Sequence, residues 1–233
     1  MNNTFLVYSY QLNFPNVKSI ELSLEIDSKT ATLQPNNEPV PFWAVLDFNQ
    51  CPNCPLSVDK HSCCPVAKNL IPLLKVADSL VSYDEVNVIV TTPERTISAD
   101  TTMQRAISSI LGLIMATSPC PHTEYLKPMA RFHLPLANED ETVYRTTSMY
   151  LLAQYFRNKE GMNVEMGFDG LASKYKNLEI INKALANRLR AAIKEDATVN
   201  AIILLHSLSQ AVTWSIEDQL EELQYLFKSF MDS

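Results

Sequence analysis

Ser19-Ile-Glu-Leu-Ser-Leu-Glu-Ile26 alternates apolar and polar residues at every step, with Ile20, Leu22, Leu24 and Ile26 on one side and Ser19, Glu21, Ser23 and Glu25 on the other. Successive side chains of a strand point to opposite faces, so a period of two describes a strand with one face buried and one in water. Before it, Thr4 to Phe14 carries Phe5, Val7, Tyr8 and Tyr10, residue types that favour strands. Phe42 to Phe48 predicts a third strand. Glu85 to Thr92, with Val86, Val88, Ile89 and Val90 and a stop at Pro93, predicts a fourth. Between the third and fourth, Pro65 to Leu80 reads as a short helix.

From Thr101 the spacing becomes helical. Thr101 with Gln104 three residues on predicts a capping box that opens a helix running to about Ala116. Asn138 with Glu141 predicts another, reaching about Arg157 ahead of Gly161. Leu171, Tyr175, Leu178, Leu185, Leu189 and Ala192 share one helical face, which Asn182 interrupts, and Ile216, Leu220, Leu223, Phe227 and Phe230 share the face of a last helix. Strands first and helices afterwards give an α+β fold in a single domain, with a β-rich part over residues 1–98 packed on a helical bundle over 99–233. The stripes span too few heptads for a coiled coil and read as bundle core, while a homodimer or a protein partner through the helical faces is the alternative.

Composition narrows the function. The apolar share of 46% and charged share of 19% are those of an ordinary globular chain. Four glycines against thirteen prolines supply no glycine-rich phosphate loop, and neither G-x-G-x-x-G nor G-x-x-x-x-G-K-[ST] occurs. A formal charge of −7 argues against nucleic acid, whose phosphates need a basic surface. The local basic concentration Arg188, Arg190 and Lys194 reads as the solvated face of a helix. Met1 to Tyr8 has neither the basic nor the apolar region of a secretory leader, and Ala106 to Ala116 is about half the length of a membrane-spanning helix. No membrane contact and a cytoplasmic location are therefore expected. Thiols stay reduced there, and clustered cysteines serve metals or catalysis more often than disulfides.

Cysteine is where this chain is unusual. Four of its five cysteines are followed directly by proline: Cys51-Pro52, Cys54-Pro55, Cys64-Pro65 and Cys120-Pro121. Proline fixes the local φ and removes a backbone donor, so the chain turns stiffly away from each sulfur. Cys51-Pro-Asn-Cys54 has the C-x2-C spacing with which a tight turn offers two sulfurs to one ion. Cys64 and Cys120 complete a set of four, and His122 is the substitute ligand, with His61 and His133 further candidates. Zinc in a structural site is the leading expectation. An iron–sulfur cluster serving electron transfer or redox sensing is the alternative, supported by the Cys-Pro steps and the apolar neighbours Leu56, Val66, Leu70 and Leu113. A metal-free interaction module is a third reading. Cys63 lacks the proline and reads as a packing residue.

Catalysis finds weaker support, and whether the chain is an enzyme stays open. Arg131 and His133, two apart on an extended segment, would share a face and provide an anion contact and a general base. Taken singly, each reads better as structure, with Arg131 paired to Glu139, Asp140 or Glu141. A Cys120–His122 or Cys120–His133 nucleophile lacks a feature that would activate the thiol. His206, in the apolar run Ala201 to Leu208, reads as a satisfied core histidine.

Cys51-Pro-Asn-Cys-Pro-Leu56, Cys64-Pro-Val-Ala67, Cys120-Pro-His122, Leu126-Lys-Pro-Met-Ala-Arg-Phe-His-Leu-Pro135 and Tyr150-Leu-Leu-Ala-Gln-Tyr-Phe156 together resemble a bacterial protein family known only as a domain of unknown function. The likeness spans about Phe5 to Phe230. It implies one unit rather than two, and brings no activity, substrate or ligand set with it.

Overall fold

The alternation at residues 19–26 is the edge strand of a four-stranded antiparallel sheet, ordered β2-β1-β3-β4. Its strands are β1 (Phe5–Asn13), β2 (Ser19–Asp27), β3 (Glu85–Thr91) and β4 (Thr96–Thr102), and helix α1 (Pro65–Ala77) lies between β2 and β3 in sequence. This computed structural model describes residues 4–15, 19–77, 80–193, 195–218 and 220–232. Lys194, the last residues of the expected helix before Leu80 and the first three residues of the leader reading lie outside them.

Register follows from which side chains must be covered. Tyr8 pairs with Leu24, Tyr10 with Val90 and Leu12 with Val88, so the apolar positions of neighbouring strands fall on one face. Tyr8, Tyr10, Leu12, Ile26, Val88 and Val90 are almost fully buried there. That face is covered by α2 (Met103–Thr117), whose residues Ala106, Ile107, Ile110, Leu111, Leu113 and Ile114 are all buried. A helix apolar on every side belongs inside, and α2 is the axis of the molecule. The remaining helices are α3 (Lys127–Arg131), α4 (Glu139–Lys159), α5 (Asp169–Arg190), α6 (Ala197–Glu217), α7 (Glu221–Gln224) and α8 (Lys228–Met231), with α5 packed on α6 and α6 on α2. One apolar cluster runs from the sheet through α2 to α5 and α6. The fold is α+β, a sheet followed by a helical region.

Four local expectations are corrected. Residues Phe42–Ala44 form a 3-10 turn, followed by a single bridge from Val45 to Cys63, in place of a third strand. The carbonyls such a strand would have paired are taken by Arg188, whose guanidinium donates to Trp43 O and Val45 O at 2.6 Å and to Leu46 O at 3.2 Å. Thr101 lies in β4, a strand the spacing had not suggested, and caps nothing. The first N–H groups of α2 are satisfied by backbone instead, Met103 donating to Asp84 O at 2.9 Å and Gln104 to Ser82 O at 3.0 Å. The stripe from Ile216 to Phe230 is not one helix: Leu220 takes a left-handed conformation (φ 57°) and the chain continues in short turns. Helix α6, passed over in the sequence, is long and apolar enough to cross a membrane by length and composition, and 33% of its apolar window is buried inside the protein.

The Asn138–Glu141 capping box forms as expected. Asn138 Oδ1 accepts from Glu141 N at 2.9 Å, and Glu141 Oε2 accepts from Asn138 N at 2.8 Å.

Candidate functional site

Three chain segments bring the Cys-Pro steps together. In the first, Cys54 N donates to Cys51 O at 2.9 Å, closing the Cys51-Pro-Asn-Cys54 turn. In the second, Cys64 N donates to Ala44 O at 2.9 Å and Cys64 O accepts from Lys68 N, which sets Cys64 at the head of α1. Pro65 is then the first helical residue, where a missing N–H costs nothing. In the third, just beyond α2, Cys120 O accepts from Thr123 N and Glu124 N at 2.9 and 3.1 Å. Asn69 of α1 donates to Ser118 Oγ at 2.9 Å and ties the second segment to the third.

Cys51, Cys54, Cys64, Cys120 and His122 line one cavity of about 30 Å³, closed from the α5 side by Arg188 with Ile181 and Leu185. Cys63 is outside it, held in the bridge to Val45. Of the three candidate histidines only His122 joins the cysteines; His61 is exposed and His133 lines a different cavity. His122 Nε2 lies 2.7 Å from Asn53 O. A carbonyl only accepts, so Nε2 carries the proton and Nδ1 is the nitrogen left to bind anything else. Asn53 Nδ2 in turn donates to Asn177 Oδ1 of α5 at 2.9 Å, while the buried Asn53 Oδ1 has no partner among the described residues.

Electrostatics mark the pocket as a place of high tension. Burial pushes the Cys51 thiol up to about 12, repulsion from Cys64, Cys54 and Cys120 adds to it, and Arg188 acts the other way. Burial also raises Cys120, and neighbouring groups of His122 and Thr123 act the other way. Arg188 is 3% exposed and makes no ion pair among the described residues, and burial depresses its basicity. The sequence reading of Arg188 as solvated is thus overturned. It stands three residues after Leu185 and four before Ala192, on the apolar stripe of α5, and that spacing was the available signal. As the side chains stand, no three Cys, His, Asp or Glu among the described residues form a group that would hold a metal ion.

Arg131 and His133 do not share a site. Arg131 ends the short helix α3 and pairs with Glu94 of the β3–β4 hairpin at 3.2 Å, in place of the acidic start of α4. His133 Nε2 takes the Tyr10 hydroxyl and lies 3.5 Å from Ser109 Oγ, and burial, helped by Arg145, pulls its pKa down to about 3. A ring this reluctant to take a proton is a fixed neutral acceptor rather than a general base near neutrality. His206, expected to be satisfied, leaves a buried Nδ1 without a partner among the described residues.

The cavity His133 lines is much larger, about 630 Å³, and opens among α2, α4, α5, α6 and the α3–α4 connection. Nothing in the spacing of the sequence announced it, although Asn182 interrupts the α5 stripe where the cavity lies.

Among known proteins, no curated protein and no solved structure matches this chain. A family model matches residues 6–228, nearly the whole chain, and by that match the chain belongs to the family described as "Domain of unknown function (DUF6901)".

Proposed function

We propose that Cys51, Cys54, Cys64 and Cys120 bind one zinc ion as a structural staple, with His122 as the substitute ligand through Nδ1. The observation that carries this reading is the convergence of all four Cys-Pro cysteines, from three separate segments, on one pocket beside a buried arginine that makes no ion pair among the described residues. Four thiolates around Zn²⁺ form a dianionic centre. Arg188 would offset part of that charge, and the His122 and Thr123 groups that oppose the rise of the Cys120 pKa favour its thiolate. Cys64, at the head of α1, faces the end of a helix that favours negative charge. Binding requires the sulfurs to draw in on the ion and release their protons, so affinity rises with pH.

Zinc is favoured over an iron–sulfur cluster because about 30 Å³ has room for one small ion, or one water, and no more. A staple here joins the loop after the sheet's first hairpin, the head of α1 and the end of α2. A reducing, cytoplasmic setting suits these free thiols.

Elemental analysis and a visible spectrum on protein purified without oxygen test the proposal. About one zinc per chain and a colourless solution are expected, with a marked drop in Tm when a chelator removes the metal. Iron with sulfide and a brown colour would replace zinc by a cluster of electron-transfer or redox-sensing type. Protein free of metal, whose Tm is untouched when Cys51→Ser and Cys54→Ser are combined, would sink both and leave an interaction module.

A further inference from the structure

The 630 Å³ cavity lies well within the range of small-molecule sites, and its walls are those of such a site. Leu113, Leu134, Leu178, Leu205 and Leu208 make the lining predominantly apolar. Against that background two polar groups have unused capacity. Arg145, half-buried, donates through Nη2 to Met129 O (3.1 Å) and Phe132 O (2.8 Å). Its Nη1 and Nε have no partner among the described residues, and it makes no ion pair among them. The titratable and charged groups around it are few. His133 and Tyr175 are neutral near pH 7, Glu141 acts on it only at a distance, and Arg105 and Glu139 stand at the exposed mouth.

Asn182 is the second group. It is 2% exposed, its Nδ2 donates to Ser209 Oγ at 3.2 Å, and its Oδ1 has no donor among the described residues. A buried acceptor without a donor is costly, so its presence on an otherwise apolar stripe calls for a partner that the described residues do not supply. Asn182 lies seven residues from Tyr175 on the same face of α5, about 10 Å along the helix. Tyr175 in turn neighbours Arg145 closely enough for the two to influence each other's ionisation. The cavity therefore has a cationic end beside Tyr175 and, about 10 Å along α5 from Tyr175, an acceptor, with leucines also in its lining.

We propose that this cavity binds a medium-chain carboxylic acid bearing a hydroxyl or amide N–H toward its far end, with the carboxylate on Arg145, the chain along Leu178 and Leu205, and the distal donor on Asn182 Oδ1. A carboxylate fits because a single guanidinium with free Nη1 and Nε presents one two-pronged donor edge, whereas a phosphate dianion would need further cations. The site is separate from the cysteine pocket and stands or falls independently of the metal.

Isothermal titration of the full chain with ω-hydroxydecanoate, decanoate and 1,10-decanediol tests it. ω-Hydroxydecanoate is expected to bind about tenfold or more tightly than the diol, which lacks the carboxylate, and several-fold more tightly than decanoate, which lacks the distal hydroxyl. Arg145→Met should erase the first difference and Asn182→Leu the second. Both side chains also bond within the fold, so Gly112→Phe provides the independent check. A Cβ on Gly112 of α2 meets only Leu205 Cδ2, at 3.6 Å, so a phenyl ring there competes with the ligand's chain for the space beside Leu205. That variant should melt at or above the parent temperature and bind none of the three ligands. Absence of binding up to millimolar ligand would overturn the proposal, as would ω-hydroxydecanoate binding that survives Gly112→Phe. A dimer that Gly112→Phe converts to monomer would overturn it too, because a second copy would then be what fills the space.

Discussion

Arg188 shows how one residue can decide local structure. Its guanidinium holds the carbonyls of Trp43, Val45 and Leu46, lies 5.9 Å from the ring centre of Phe48, and faces Cys51, Cys54 and Cys64. Because those carbonyls are spoken for, residues 42–48 cannot enter the sheet, and they carry the cysteine loop toward α5 instead. Arg188→Ala should therefore cost about 3 kcal/mol or more, since it strands buried acceptors and leaves a void. A urea or thermal melt reads this directly, and a loss under 1 kcal/mol would mean that water replaces the guanidinium freely. Arg188→Lys should recover only part of the loss, because an ammonium cannot span three carbonyls as a planar fork does. Asn182 makes the complementary case at this scale. A polar residue in an apolar stripe was visible in the sequence, but that its Oδ1 is left without a donor was not.

Among the elements, those whose local chemistry agrees with their packing were legible and those fixed by distant partners were not. β1, β2 and β3 alternate cleanly because one face meets α2 and the other meets water. β4, Thr-Ile-Ser-Ala-Asp-Thr-Thr, has little apolar content and is a strand only because β3 offers it an edge to pair with. The start of α4 was legible because its cap lies within four residues of chain, whereas the start of α2 was misread because Asp84 and Ser82 supply its acceptors from across a turn. Asn138→Ala should destabilise the protein by about 1 kcal/mol, and pairing it with Glu141→Ala should add less than the second change alone, since both belong to one box. A double-mutant cycle by thermal melt checks both statements. Strict additivity would show that the reciprocal bonds do not form in solution.

For the whole molecule, the interior between sheet and helices sets how stability responds to acid. His133, reached by Tyr10 from the sheet, Ser109 from α2 and Arg145 from α4, is held neutral with a pKa of about 3, against about 6.5 in an unfolded chain. Between those values the unfolded state binds the proton and the folded state does not. The contribution of neutral His133 is thus complete above pH 6.5 and is lost as pH falls toward 3. His133→Gln, which keeps an acceptor but cannot titrate there, should flatten the fall in Tm between pH 7 and pH 4.5 relative to the parent. Parallel pH profiles would show that His133 gains its proton without penalty. By itself the sequence determined the α+β class, the strand-then-helix order and the set of Cys-Pro residues worth watching, because periodicity, caps and Cys-Pro steps act over a few residues. Only the tertiary structure decided that those cysteines share one pocket, that an arginine is buried against them, and that the helices leave a large apolar cavity. Each of these depends on groups far apart in the chain meeting in space, as Arg188 meets Trp43 (145 positions away) and Asn69 meets Ser118 (49 away), and no local pattern encodes such distances.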